Sequence, residues 1–382
     1  MPSQYDMIII GLGSMGSASC YELARRGHRV LGIEQFGIPH DNGSHGGQSR
    51  IVRKAYFEHP DYVPLLERAY ENWRKFEAQT EQQFYHRTGI VYFGKPDNVN
   101  IEGIRTAAIL HDIHIENWDR DKAFKRFPQF EIPGNFDIIF EPDAGLVTPE
   151  TAVDAYVHEA EGLGATILRD TAVLKWKVEG SGIRVITAHA DYTTDKLVVT
   201  AGAWTQRMLP GLNVRLEVTR QLLAWIAPPD PAAFSPAKFP CWFVEDPALG
   251  TFYGFPLLPN AKGPIGLKLA HHHPGITCGP DEVKGPVPAS EEEKLRLFLR
   301  KYIPSAGMQV LQTKTCLYTY SPDTHFIIDF LPGYDNKVVF AGGFSGHGFK
   351  FVPVVGEVLA DLAEKGKTDL PVDFLRLKRF SD

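Results

Sequence analysis

Three glycines near the start of the chain, Gly11, Gly13 and Gly16, are spaced as G-x-G-x-x-G, the pattern that lets a backbone approach a pyrophosphate. The first permits a tight turn. The second removes a side chain where phosphate oxygens must come close, and the third lets helix and strand pack together. Ser14 and Met15 stand where a helix would begin, offering unpaired N–H groups and a positive dipole end. Glu34 follows 18 residues after Gly16. Its carboxylate can accept from ribose hydroxyls and would repel a 2′-phosphate. A different clue is Lys268, set among apolar neighbours in Gly266-Leu267-Lys268-Leu269. An ammonium there must be paired, hydrogen-bonded or shifted in pKa.

The elements that position these residues follow from local pattern. Residues 7–10 are all apolar, as a strand buried on both faces would be. Ala18, Leu23 and Ala24 then fall at helical spacing, and Gly27 stops the helix. Val30–Ile33 is a second strand ending at Glu34, which completes a strand–helix–strand unit. Residues 67–76 read as a helix and 89–93 as a strand. Thr148 is expected to cap a helix with Pro149 at its first position. Short strands are expected at Thr166–Leu168, 172–176, 183–188 and 196–200, the last ending in Ala201-Gly202. Residues 216–288 are rich in proline and aromatics, with Pro228-Pro229-Asp230-Pro231 as a loop. Residues 290–293 read as a capping box opening a helix with Leu295, Phe298, Leu299 and Tyr302 on one face. A last apolar strand at 337–341 runs into Gly342-Gly343 and a helix carrying Val355, Val358 and Leu362.

The doubly wound pieces thus lie at the start, near the middle and at the end. They imply a discontinuous dinucleotide domain interrupted twice by a second one. A long dinucleotide such as FAD takes contacts from several distant segments, whereas a nicotinamide enzyme usually keeps its site in one continuous domain. Position therefore favours a flavoprotein over a nicotinamide-linked dehydrogenase, the alternative of a different class.

Composition bounds the rest. The 382 residues are 43% apolar and 23% charged, with a net charge of −6, so neither nucleic acid nor an anionic membrane is an expected partner. No run of ~18 apolar residues would span a membrane. The first residues pass straight into a strand, leaving no room for a signal peptide, so a cytoplasmic enzyme is expected. Cys20, Cys241, Cys278 and Cys316 show no metal or redox spacing. The run His271-His272-His273 has no carboxylate or cysteine at ligand spacing, so no metal is expected.

Three stretches carry a resemblance. They are Gly43-Ser44-His45-Gly46-Gly47-Gln48-Ser49-Arg50-Ile51-Val52-Arg53, Thr315-Cys316-Leu317-Tyr318-Thr319, and Gly342-Gly343-Phe344-Ser345-Gly346-His347-Gly348-Phe349-Lys350. With them the chain resembles the monomeric sarcosine oxidase family, which includes N-methyltryptophan oxidase and pipecolate oxidase, over nearly its whole length. The resemblance implies an α/β fold: a Rossmann-like FAD-binding domain of residues 1–85, 145–215 and 320–382, interleaved with an α+β substrate domain of 86–144 and 216–319 built mainly on an antiparallel sheet. It implies FAD held covalently through Cys316. It further implies a small substrate, a carboxylated secondary amine, oxidised at its C–N bond to an imine with dioxygen reduced to hydrogen peroxide by a monomeric enzyme.

Residue roles follow from the same resemblance. Arg50 and Lys350 match the positions that clamp the substrate carboxylate, for which a guanidinium fork is suited. Lys268 matches a lysine beside the flavin's reactive edge, where positive charge favours reduced dioxygen. Tyr253, Tyr318 and His272 match residues near the substrate. Ser44, His45, Ser49, Val173, Gly202, Trp204, Gly343, Phe344, Gly346 and Gly348 join the glycine turn and Glu34 around the cofactor. His347, before the last helix, is expected where N–H groups and helix dipole stabilise a reduced flavin. Arg53 is read either as lining the entrance or selecting substrates, or as solvated. Sarcosine-type members carry a second histidine where this chain has Gly46, and the run from Gly47 to Tyr56 looks closer to pipecolate oxidase-like members. Trp242, Phe243, Phe252 and Phe255 could shape a pocket larger than sarcosine needs. The expected substrate is sarcosine or another N-methyl amino acid, with a cyclic imino acid such as pipecolate or proline as the alternative.

Overall fold

A computed structural model describes residues 3–259, 263–285 and 287–380. Met7, Ile8, Ile9 and Ile10 are all buried, and they lie in the strand Ser3–Ile10 at the centre of an eight-stranded sheet of the described residues. Val30–Ile33 and Asp191–Val199 flank it in parallel, and Thr166–Leu168 and Val338–Gly342 extend the parallel part. The antiparallel strands Val173–Glu179, Gly182–Thr187 and Ile327–Phe330 complete the sheet. Helix Ser14–Arg25 packs so closely on helix Val352–Lys365 that a Cβ at Gly356 would lie 2.7 Å from the Ala18 side chain. Gly27, at φ +87°, ends the first helix with its N–H on Ala24 O, as a left-handed glycine is suited to do.

The second sheet has nine strands among the described residues. It is antiparallel except where Cys241–Asp246 runs parallel to Ile90–Gly94. Its long pair, Glu217–Ile226 with Val310–Tyr320, places Cys316 opposite Gln221. Helix Ala289–Tyr302 covers one face with Leu295, Phe298, Leu299 and Tyr302. Phe298 stacks on Trp242 with centroids 5.1 Å apart and planes 10° apart. Burying such a ring contributes about 1.5–3 kcal/mol. A three-stranded sheet joins Arg50–Val52, Gly145–Val147 and Tyr85–His86 between the other two.

Two sequence expectations are corrected. The helix after residue 288 starts at Ala289 with Pro288 as its N-cap, so Ser290 lies inside it and forms no capping box. Pro288 holds the entry in extended conformation at φ −62°, ψ 140°. Thr148 does precede helix Pro149–Gly162, but its Oγ1 is buried without a hydrogen-bond partner among the described residues and makes no cap bond. The helix expected over 67–76 runs further, as Val63–Thr80. Among the described residues no helix is long and apolar enough to cross a membrane.

Candidate active site

The glycine turn sits at the C-terminal edge of the parallel strands. A Cβ on Gly11 would lie 2.7 Å from Thr200 O, and one on Gly16 would lie 1.8 Å from Gly11 O. Glycine is therefore required at both. Glu34 braces the turn: Leu12 N donates to its Oε2 at 2.8 Å and Phe36 N to its Oε1 at 3.1 Å. Above the turn runs a cleft of about 1260 Å³, the open solvent at its mouth included.

Most residues expected around a cofactor line this cleft: Gly11, Gly13, Ser14, Met15, Glu34, Ser44, His45, Arg50, Val173, Gly202, Trp204, Gly343, Phe344, Gly346 and Gly348. Gly16, Ser49 and Cys316 do not reach its wall, and His347 and Lys350 line a second cavity instead. Burial pushes the His45 imidazole down to about 3, so it is neutral. Thr319 Oγ1 is buried in the cleft wall with no hydrogen-bond partner among the described residues, an acceptor–donor left for a ligand to satisfy. That orphaned hydroxyl, the side-chain-free turn and the braced carboxylate all fit FAD. Gln35, His40, Thr171, Thr200 and Thr319 also line the cleft and were not singled out in the sequence. Thr200 had a legible signal, because ligands in parallel sheets bind at the carboxyl ends of the strands.

The second cavity encloses about 490 Å³. Arg50, Tyr318, Gly346 and Phe349 line both spaces, so the two meet at those four residues. Among the described residues Lys350 Nζ has a single hydrogen bond, to His347 O at 2.8 Å. Burial first, and then the Arg53 charge, bring its pKa down to about 7. Arg53 is buried, with its NH2 2.7 Å from both oxygens of Glu58 and its guanidinium 3.8 Å over the Phe57 ring. Its charge and that of Lys350 flank the same Tyr56 ring, at 4.5 and 5.1 Å. The solvated reading of Arg53 is thereby corrected: Glu58 and the aromatic faces supply what water would.

Arg50 lines both spaces, and part of its guanidinium is bonded to main-chain carbonyls. Its NH2 donates to Ser44 O and Gly46 O at 2.7 Å each, and its NH1 to Ser49 O at 2.8 Å. Three of its five N–H donors are thus taken, and the Arg53 charge also acts on Lys350. Tyr253 and Tyr318 hydroxyls lie 3.3 Å apart. His272 faces the same cavity with its Nδ1 unpartnered among the described residues, and burial holds the ring well below its ordinary pKa, hence neutral. His347 joins Tyr56 through Nδ1 and Thr324 O through Nε2 at 3.1 Å, and burial lowers it to about 4.

Lys268 and Cys316 lie behind the walls. Lys268 Nζ is 2.7 Å from Ser49 O and 4.6 Å over the Phe255 ring. Burial and the Arg50 charge push its pKa well below the ordinary lysine value. Burial raises the Cys316 thiol, while the charges of Arg50 and Lys268 oppose that rise. Among the described residues no three His, Cys, Asp or Glu side chains gather as metal ligands.

A glycine-turn dinucleotide cleft meeting a small cavity with buried cations and paired tyrosines defines a flavin-dependent oxidoreductase of the two-sheet type. The chain belongs to the FAD dependent oxidoreductase family, whose profile matches residues 6–362. It is 38% identical over 385 residues to monomeric sarcosine oxidase of Bacillus sp. (strain B-0618), a match covering 99% of this chain and 97% of that protein. It is 34% identical over 380 residues to N-methyl-L-tryptophan oxidase of Escherichia coli O17:K52:H18 (strain UMN026 / ExPEC), covering 99% and 100%. Among solved structures, the open form of NikD, an unusual amino acid oxidase essential for nikkomycin biosynthesis, superposes with TM-score 0.86 at 26% identity over 98% of this chain and 97% of that one. L-proline dehydrogenase from P. horikoshii shares the fold, with TM-score 0.84 at 23% identity over 100% and 98%.

Proposed function

We propose that the chain is an FAD-dependent amine oxidase that oxidises the C–N bond of a secondary amino acid, sarcosine or another N-methyl or cyclic one, to an imine while dioxygen becomes hydrogen peroxide. The observation that carries this reading is the shared wall of Arg50, Tyr318, Gly346 and Phe349, where the nucleotide cleft opens onto the cationic cavity. Bound there, FAD would supply the two-electron chemistry, and the protein's work is orientation and electrostatics.

The substrate carboxylate is assigned to Arg50 and Lys350, with the Arg53 charge beside Lys350. Lys350 keeps N–H donors free, and both charges stand in a buried site where a charge-assisted bond is strong. The Tyr253–Tyr318 pair and the unpartnered His272 Nδ1 orient the amine. Neutral His272 can accept from it without repelling a cation. Lys268 and Arg50 add positive charge on the cofactor side, where electrons pass to dioxygen. Cys316, whose thiol feels both charges, is the proposed point of covalent attachment: burial raises the thiol, and the two cations oppose that rise. The imine then hydrolyses in water. We place the cofactor domain at residues 1–85, 145–215 and 320–382, the substrate domain at 86–144 and 216–319, and read the enzyme as a cytoplasmic monomer.

The test is a peroxide-coupled assay on the purified yellow protein with sarcosine, N-methyl amino acids, proline and pipecolate. Peroxide release with bleaching of the flavin under anaerobic substrate is expected. A flavoprotein that neither bleaches nor yields peroxide with any of them would refute the assignment.

A further inference from the structure

The proposed reaction leaves one part of the second cavity without a task. Its side is a continuous run of rings. Phe57 and Phe243 have centroids 5.0 Å apart, Phe243 meets His272 at 5.9 Å, and His272 meets Tyr253 at 5.7 Å and Tyr318 at 5.8 Å. All five line the cavity. The run begins at the cationic end, where the Arg53 guanidinium lies on the Phe57 face. Holding a carboxylate uses Lys350 and Arg50, and holding an amine uses the tyrosines and His272. Neither task uses the cavity-facing surfaces of Phe57 or Phe243.

Sarcosine has one methyl and one methylene besides its polar groups and would leave that surface bare. Apolar wall of this kind gains free energy only when a ligand displaces water from it. The cavity is small, about 490 Å³ even with the open solvent at its mouth included, so the body that covers the wall must be compact.

We infer that Phe57 and Phe243 are specificity-determining residues that select secondary amino acids carrying a compact apolar body at the α-carbon, a saturated ring or a branched aliphatic side chain, over sarcosine. This rests on the amine-oxidase reading. The chemistry is unchanged: a C–H beside the nitrogen leaves as hydride and the N–H as a proton, a C=N bond forms, and two electrons with two protons pass by way of FAD to dioxygen, giving hydrogen peroxide. Each apolar group placed against the wall is expected to change kcat/KM by the roughly 10–200-fold that a methylene commands in such pockets.

The experiment measures kcat/KM of the holoenzyme for pipecolate, N-methylvaline and sarcosine. At least one of the first two is expected to exceed sarcosine by about tenfold or more; if neither does, the inference is overturned. Phe243→Ala and Phe57→Leu are then expected to lower that ratio, chiefly by raising KM for the larger substrate. An unchanged ratio in both would also overturn it. Should these variants lose FAD, the wild-type holoenzyme is titrated with cyclohexanecarboxylate and with acetate, read by flavin absorbance. Tighter binding of the ring acid is expected, and equal or weaker binding overturns the inference. No peroxide from any amine would sink the oxidase reading itself, and the carboxylate titration still reads the wall without turnover.

Discussion

Lys268 Nζ donates to the main-chain carbonyl of Ser49 at 2.7 Å and lies 3.2 Å from its hydroxyl, tying the strand Leu267–His273 to the segment that carries Arg50. The ammonium is 2% exposed and has no carboxylate within salt-bridge reach among the described residues. Its charge is therefore available to whatever negative charge develops nearby. Lys268→Met keeps the length and removes the charge. Reoxidation of the reduced flavin by dioxygen should slow by on the order of 10²-fold, the usual cost of one buried electrostatic stabiliser, while flavin reduction by substrate slows far less. Stopped-flow measurement of the two half-reactions decides it, and equal slowing would remove the assigned role. Because burial depresses this lysine, wild-type reoxidation should also fall as pH rises and the ammonium is lost.

Cys316→Ala should free the flavin. The thiol is 1% exposed, so in the absence of a bond to it the residue is a small hydrophobe whose loss costs little. Acid precipitation of wild-type protein should carry the yellow colour into the pellet, and the variant should leave it in the supernatant. Colour that stays with the denatured variant would place the attachment elsewhere.

The glycine turn, Glu34 and the alternation of strand and helix were legible because each is a local pattern, fixed by neighbours within about twenty residues. The second cavity was only partly legible. Lys350, Tyr253, Tyr318 and His272 do face it, but no periodicity announces that Arg53 would be buried between Glu58 and two aromatic faces. That environment exists only once residues 53–58 fold back on themselves. Nor does any local pattern show that Arg50, in a glycine-rich segment, spends part of its guanidinium on three carbonyls of its own main chain. The capping box at 290–293 failed because Pro288 fixes the helix entry two residues earlier, overriding a side-chain preference worth about 1 kcal/mol.

Gly16→Ala tests the packing half of the nucleotide turn. The added methyl would sit 1.8 Å from Gly11 O and 2.5 Å from Thr200 Oγ1, and neither the turn nor the strand end can yield freely. Overpacking of this kind costs about 1–3 kcal/mol, here in the element that must bind the pyrophosphate. The variant should unfold at lower temperature and copurify with less FAD. Wild-type thermal stability together with full FAD content would mean the close approach is relieved without cost.

Lys350 should give the enzyme a titratable anion site. In the ligand-free cavity its pKa is about 7, so the ammonium is present below that pH and is lost as pH rises through it. The other groups facing the cavity do not titrate in this window. His347 is lowered to about 4 and His272 well below its usual value, Glu58 is held ionised by Arg53, Arg53 stays charged, and burial raises both tyrosines. A bound carboxylate favours the charged lysine, so ligand affinity must depend on the proton the free enzyme has to acquire. The dissociation constant of acetate, read by flavin absorbance, should be nearly flat below pH 7 and weaken by up to about tenfold per pH unit above it. Lys350→Met should bind more weakly at pH 6 and lose the slope. A wild-type constant that stays level from pH 6 to 9 would show that the carboxylate is held by other groups.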